Sequence, residues 1–88
     1  MKSYFNDRNA IEIGVISCLL HDWEKTKDLC DEFNIMACDF SDEDRRMAFV
    51  CAIERIAFHN QNYYFEYLPS AGNARYYVEE LRTKISVA

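Results

Sequence analysis

Cys18 and His21 come closest, among the residues of this chain, to a pair that could do chemistry. On a helix their three-residue spacing places both on one face, about one turn apart. Such a pair could supply two of the four ligands of a tetrahedral zinc site. The other cysteines, Cys30, Cys38 and Cys51, are irregularly spaced, and no CxxC pair completes the set. Because cysteines on apolar helical faces usually pack in a core, we expect no metal ion and no cofactor.

The other candidate catalytic groups each have a simpler structural explanation. A cysteine nucleophile could pair with His21 or His59, but no surrounding motif supports that pairing. The acidic run at 42–44 could bind a metal ion, yet it also suits the first turn of a helix, whose dipole favours anions. Gly72, in PSAGNA, lacks the rest of either glycine-rich phosphate-binding motif. We therefore expect no catalytic residue and no enzyme activity.

Composition predicts a single small helical domain. Of the 88 residues, 50% are apolar and 15% aromatic, which excludes a disordered tail. Two glycines and one proline leave little room for the turns of an all-β fold. A chain this short buries only about 60–65% of its unfolded surface, so a partner or self-association would add stability.

The net charge of −5 disfavours direct nucleic-acid binding, because a phosphate backbone attracts clustered lysines and arginines. Here the basic residues are scattered, and Arg45–Arg46 is the densest pair. No apolar run reaches the roughly 20 residues of a membrane span. The N-terminal MKSYFNDRN has no apolar stretch typical of a signal peptide. Four cysteines without a pairing pattern favour the reducing cytoplasm as the location.

The stretch 9–20 predicts a first helix with a capping box, in which Asn9 caps and Glu12 follows three residues later. Its apolar residues form two faces and leave only a narrow polar strip. One face comprises Ile11, Val15, Cys18 and Leu19; the second comprises Ile13, Ile16 and Leu20; the strip comprises Gly14, Ser17 and His21. Because one small core needs a single apolar face, the second face is a candidate for partner contacts.

Two further helices are predicted before residue 60. Asp22 is expected to cap a helix over 23–33 that ends at Asn34, and Ser41 to cap a helix over 42–59. The third helix is apolar almost all round, which is typical of a central core helix. The expected core residues of this region are Leu29, Cys30 and Phe33 in the second helix, Ile35, Met36 and Phe40 in the loop, and Met47, Phe49, Cys51, Ile53, Ile56 and Phe58 in the third helix.

In the segment 60–69, Tyr63, Phe65 and Tyr67 alternate with Tyr64 and Glu66, which is the pattern of a short strand. A helical turn is the alternative, and we favour it because the sequence offers no obvious strand to pair with this one. Ser70 or Asn73 then caps a last helix that ends near Ile85. Its apolar stripe comprises Ala74, Tyr77, Val78, Leu81 and Ile85, and its solvent side carries the i, i+4 pairs Arg75–Glu79 and Glu80–Lys84. The sequence thus predicts an all-α, compact bundle of four to five helices: a flexible N-terminus at 1–8, core helices at 9–59 and a C-terminal helix at 70–85.

Three stretches, in this order, resemble the N-terminal collar domain of replicative DNA helicases of the DnaB type. IEIGVISCLLHD is similar to the family's opening helix. CDF followed by MAFVCAIERI is similar to its second conserved passage, with Arg46 at the family's arginine, Phe49 at its second aromatic and Arg45 where the family has histidine. PSAGNARYYVEELRTK resembles the segment that leads into its linker helix. The resemblance covers nearly the whole chain and implies a collar fold without the motor domain.

The chain departs from the collar pattern after the third helix. Some thirty family residues, including part of the hairpin through which collars dimerise into a ring, are reduced to about ten. This departure puts standard ring assembly in doubt. The helicase-binding domain of bacterial primase resembles the same bundle, so the likeness does not separate the two.

The leading hypothesis is therefore a non-enzymatic interaction module of phage, prophage or mobile-element origin. It would bind a replicative helicase, its loader or a primase and modulate DNA replication, and it could form a homodimer. Tyrosine is enriched at interfaces but also closes the edges of small cores, and of the five tyrosines late in the chain we assign Tyr77 to the core. The expected partner-binding residues are Ile13, Ile16, Leu20, Tyr63, Tyr64, Tyr67 and Tyr76. The alternative is a small acidic inhibitor of another nucleic-acid enzyme, acting as a phosphate mimic through one continuous acidic surface. A small enzyme or zinc protein is the third class.

Overall fold

Four α-helices form the structure, a computed structural model that describes residues 8–56 and 73–86. The helices are α1 (Arg8–His21), α2 (Trp23–Glu32), α3 (Glu43–Glu54) and α4 (Ala74–Ser86), and a 3₁₀ turn at Ala37–Asp39 lies between α2 and α3. No strand occurs in these two ranges, so the predicted all-α bundle is confirmed. The expectations for 1–7, for 57–69 and for Ser70 concern residues outside the described ranges. None of the described helices is both long and apolar enough to cross a membrane.

Helix α1 is the centre of the bundle, because α2, α3 and α4 all pack against it. From Ile11 to Leu19 every residue except Ile13 is buried. Two expectations are therefore wrong. Gly14 and Ser17 do not form a polar strip facing solvent, and the central helix is not α3. A helix surrounded by three others buries its whole circumference, and small residues such as these allow the close approach of a neighbour.

The contact between α1 and α4 depends on Gly14. A Cβ atom at this position would lie 2.8 Å from Cγ of Tyr77 and still nearer to two other carbons of the ring. Tyr77 is only 3% exposed, so its ring has no room to move away. The glycine therefore makes the space into which the tyrosine packs.

A buried ion pair joins α1 to the start of α3. The Glu12 carboxylate, with no exposed surface, accepts hydrogen bonds from Arg45 Nε at 2.7 Å, Arg8 Nε at 2.9 Å and the backbone N–H of Ser41 at 3.1 Å. Arg45 also donates from Nη2 to the side-chain oxygen of Asn9, at 2.9 Å. The predicted capping box is therefore wrong. Asn9 lies inside the helix, and Glu12 serves partners up to 33 residues away in sequence.

Of the three residues expected to pack in the core from the connection between α2 and α3, two are buried. Ile35 and Phe40 are buried as predicted, and the Phe40 ring lies 4.7 Å from that of Phe49. Met36 is 55% exposed, so its assignment to the core is wrong. Helix α2 ends as predicted, because Asn34 adopts the left-handed conformation with φ of 57°.

Helix α3 is shorter than predicted and is capped one residue later. Asp42, not Ser41, is the N-cap, and its carboxylate accepts from the backbone N–H groups of Asp44 and Arg45. The helix ends at Glu54, since Arg55 adopts the left-handed conformation with φ of 60°. The expected extension to residue 59 is therefore wrong.

Helix α4 follows its predicted stripe. Ala74, Tyr77, Val78 and Leu81 are buried against α1 and α2, and Ile85 is partly buried. Both predicted pairs on the solvent side are also confirmed. Nitrogen–oxygen distances are 3.1 Å for Arg75–Glu79 and 4.0 Å for Lys84–Glu80.

Gly14→Ala is expected to lower the free energy of unfolding. Overpacking a core costs about 1–3 kcal/mol, while alanine regains about 0.5–1 kcal/mol of helix propensity. Urea unfolding followed by circular dichroism measures the difference. In a Tyr77→Ala background the same substitution should cost nothing, because the ring it would meet is gone. A stabilised Gly14→Ala variant of the wild-type chain would contradict the close contact.

Glu12→Gln is expected to cost about 3 kcal/mol, because it leaves the buried Arg45 guanidinium with only the partly exposed Asp42 carboxylate, 3.9 Å away, as a counter-charge. Arg45→Met should cost less, because Glu12 keeps its ion pair with Arg8 at 2.9 Å. The double variant should lose less than the sum of the two, since neither charge is then left alone. Glu24→Gln, at an exposed position of α2, is the control and should change the free energy of unfolding by about 0.5 kcal/mol or less. Additive losses in this cycle would show that the two side chains do not interact.

Candidate protein-interaction surface

Within the described residues, the cysteine and histidine candidates do not form a metal site. Cys18 and Cys30 lie in the core, with 0% and 1% of their surfaces exposed, whereas His21 is exposed. Burial raises the pKa of Cys18 to about 11 and that of Cys30 to about 12, so both thiols are protonated at neutral pH. Only a thiolate is a good nucleophile or metal ligand. Over residues 8–56 and 73–86 no three side chains of histidine, cysteine, aspartate or glutamate converge on a metal position. His59 lies outside these ranges.

An apolar groove lies where the C-terminal ends of α1 and α3 meet the start of α2. Its volume is about 450 Å³. We call it the Trp23 groove. Its lining residues are Leu19, Leu20, Trp23, Cys51, Ala52, Arg55 and Ile56.

Trp23 forms a rigid wall of this groove. Its indole Nε1–H donates to the backbone carbonyl of Ile53 at 3.0 Å, which ties α2 to α3. The Arg55 guanidinium carbon lies 4.1 Å from the indole ring centroid, which is cation–π distance. The left-handed backbone of Arg55 ends α3 and turns the chain at this point. The Trp23 side of the groove is therefore held in place by contacts within the folded protein.

Large apolar side chains project at the edges of the Trp23 groove. Leu20 is 55% exposed and Ile56 59%, so the expectation that Ile56 packs in the core is wrong. The prediction for α1 is thus divided: Leu20 is accessible, Ile13 is partly buried against the core, and Ile16, at 1% exposure, is buried. The prediction that Ile16 contacts a partner is wrong, because the other helices of the bundle already cover that residue.

The outward side of α3 carries a second accessible stripe. Glu43, Met47, Val50 and Glu54 are all exposed and follow i, i+4, i+7 and i+11 spacing, so they lie in one row. We call this row the α3 ridge. The prediction that Met47 packs in the core is wrong, since 54% of its surface is exposed. The two glutamates at the ends of the row were the available signal that this side faces solvent.

The two tyrosines that the structure describes differ in how far they are exposed to solvent. Tyr77 is buried in the core, as predicted, and burial raises its pKa. Tyr76 is 41% exposed, and its ring meets that of Tyr77 edge-on with centroids 5.3 Å apart. The remaining candidates, Tyr63, Tyr64 and Tyr67, lie outside the described ranges.

Acidic side chains on α2 and α4 are interleaved with basic ones. A cleft of about 560 Å³ between these helices is lined by Asp22, Glu24, Lys25, Asp28, Leu29, Glu32 and Arg75. Arg75 lies 3.6 Å from Glu32 and 3.1 Å from Glu79, and Lys27 lies 3.0 Å from Asp31. These pairs divide the negative charge of this surface into short segments.

Comparison of the chain with protein-family models, with curated proteins and with solved structures found no match.

Thiol accessibility is expected to separate the four cysteines. At pH 8 a thiol reagent should label the exposed Cys38 first, and should reach Cys18 and Cys30 only on unfolding. Mass spectrometry of protein labelled with and without urea measures this. Cys38→Ser should remove the fast reaction, and rapid labelling of Cys18 in the folded protein would contradict the core assignment.

The same raised pKa values predict a loss of stability at alkaline pH. Below pH 9 the thiols are protonated in both states, and their contribution to stability is complete. The ordinary pKa of a cysteine thiol is 9.0, so above pH 9 these thiols ionise in the unfolded chain while they stay protonated in the folded protein. The free energy of unfolding therefore falls as the pH rises toward 11 for Cys18 and toward 12 for Cys30. Urea titrations at stepped pH measure this slope.

Proposed function

We propose that this protein is a non-enzymatic interaction module. It binds a replicative helicase, its loader or a primase through the Trp23 groove and thereby modulates DNA replication. The observation that carries the proposal is an apolar groove with an indole wall and two accessible aliphatic edges, Leu20 and Ile56.

The composition of the Trp23 groove supports protein binding. Tryptophan and arginine are the residues most enriched among those that dominate binding energy at interfaces. Trp23 and Arg55 are in contact and form a single surface, with Leu20 beside it as an apolar side chain that a partner could cover. Exposed apolar patches of this kind on a small domain mark protein interaction sites.

The partner class follows from the collar resemblance in the sequence. Collar domains and the helicase-binding domain of primase are modules that act by being recognised, and three stretches of this chain resemble the collar in sequence. The proposal therefore concerns only recognition by another replication protein, and it does not include ring assembly or ATP hydrolysis.

The phosphate-mimic alternative has less support. It needs one continuous acidic surface that competes for a basic nucleic-acid site. The pairing of Arg75 and Lys27 with carboxylates on α2 and α4 interrupts such a surface, whereas the Trp23 groove matches an apolar partner.

Titration calorimetry with a purified DnaB-type helicase, its loader and the cognate primase tests the proposal. One of the three is expected to bind, and Leu20→Asp should weaken that binding about tenfold or more. Met36→Asp is the matched control, because Met36 and Leu20 are both 55% exposed but Met36 lies outside the groove. Absence of binding by all three proteins at about 100 μM, or equal effects of the two substitutions, would contradict the proposal.

A further inference from the structure

The α3 ridge has the composition of a contact surface, with two aliphatic residues at its centre and a glutamate at each end. Met47 and Val50, at its centre, are 54% and 40% exposed. Aliphatic residues one turn apart on an accessible helix face lose contact with water only if another element packs there. Cys51, half-buried beside Met47, extends the apolar centre toward the Trp23 groove.

The two ends of α3 carry opposite charges. Three carboxylates, Asp42, Glu43 and Asp44, stand at the N-terminal end, as the cap and the first turn. Arg55 follows the C-terminal end, and within the described ranges its guanidinium stacks on Trp23 without a carboxylate partner. A second α3 in antiparallel orientation would place its acidic end beside this arginine, and the helix dipoles would then also oppose each other favourably.

We propose that the protein forms a symmetric homodimer in which the α3 ridges of two copies pack antiparallel. A two-fold axis between Met47 and Val50 sets Met47 against the partner's Val50, and the acidic first turn near the partner's Arg55. Such an interface is isologous, since each copy contributes the same patch. The 12 residues of α3 span about 18 Å, which gives a small interface and a dimer that dissociates on dilution.

The antiparallel pairing has a testable consequence at Glu54. The same two-fold axis brings Glu54 near the partner's Glu43, and like charges at that distance weaken the dimer. Reversing the charge of Glu54 should therefore strengthen association, a gain that general damage to the fold would not produce. The inference does not depend on the proposed helicase or primase partner, because Met47 and Val50, at the centre of the α3 ridge, do not line the Trp23 groove; Cys51 and Arg55 belong to both surfaces.

Sedimentation equilibrium over a range of protein concentrations tests the dimer. The wild-type chain should show a monomer–dimer equilibrium, and Met47→Lys should raise the dissociation constant about tenfold or more. Met36→Lys is the matched control, because the two methionines are 55% and 54% exposed, and it should leave the constant unchanged. Glu54→Lys should tighten the dimer about two- to fivefold. A wild-type chain that is monomeric at all concentrations, or equal effects of the two methionine substitutions, would overturn the proposal.

Crosslinking tests the antiparallel orientation. In a background of Cys38→Ser and Cys51→Ser, a mixture of the Glu43→Cys chain and the Glu54→Cys chain is expected to give a 43–54 crosslink with a short bismaleimide, as peptide mapping would show. Antiparallel ridges hold the two copies of position 43 about 16 Å apart along the helix axis. Parallel ridges would instead join position 43 to position 43, and that product would overturn the orientation. Circular dichroism of each variant verifies that the helices are retained.

Discussion

The rest of the bundle depends on the buried contact between Glu12 and Arg45. The Glu12 carboxylate accepts hydrogen bonds from Arg45, at the start of α3, and from the backbone N–H of Ser41. Glu12 therefore holds the end of the α2–α3 connection against α1. Arg45 shares its face of α3 with Ala48, Phe49 and Ala52, the residues of that helix that reach the core. The ion pair and these three apolar residues thus favour the same inward side of α3.

The orientation of α3 also determines which of its residues reach the two proposed contact surfaces, the Trp23 groove and the α3 ridge. With Arg45 and Phe49 inside, Met47 and Val50 must face solvent, and the end of α3 meets Trp23. The central position of α1 has the opposite effect, because it covers nearly all of that helix and leaves Leu20 as its accessible apolar residue. The same arrangement therefore stabilises the core and leaves the Trp23 groove and the α3 ridge available to other proteins.

Helix α4 could be predicted from the sequence because its apolar residues recur at helical spacing and its charges lie opposite them. Helix α3 could not, since it is apolar on most sides and periodicity then says little about orientation. The role of Glu12 was also hidden. A local motif suggested a capping box, whereas its partner Arg45 is 33 residues away. The Trp23 groove combines residues of three helices, so no stretch of sequence could indicate it.

The most direct test of this account is the solvent accessibility of individual methyl groups, measured by NMR with a soluble paramagnetic probe. Leu20, Met47, Val50 and Ile56 should relax strongly in dilute protein, where dimers are absent. Methyl groups of the core, those of Ile11, Ile16, Leu19 and Leu81, should be protected. Equal relaxation of Ile16 and Leu20, or protection of Met47, would contradict the orientation of α1 and α3 on which both proposed surfaces depend.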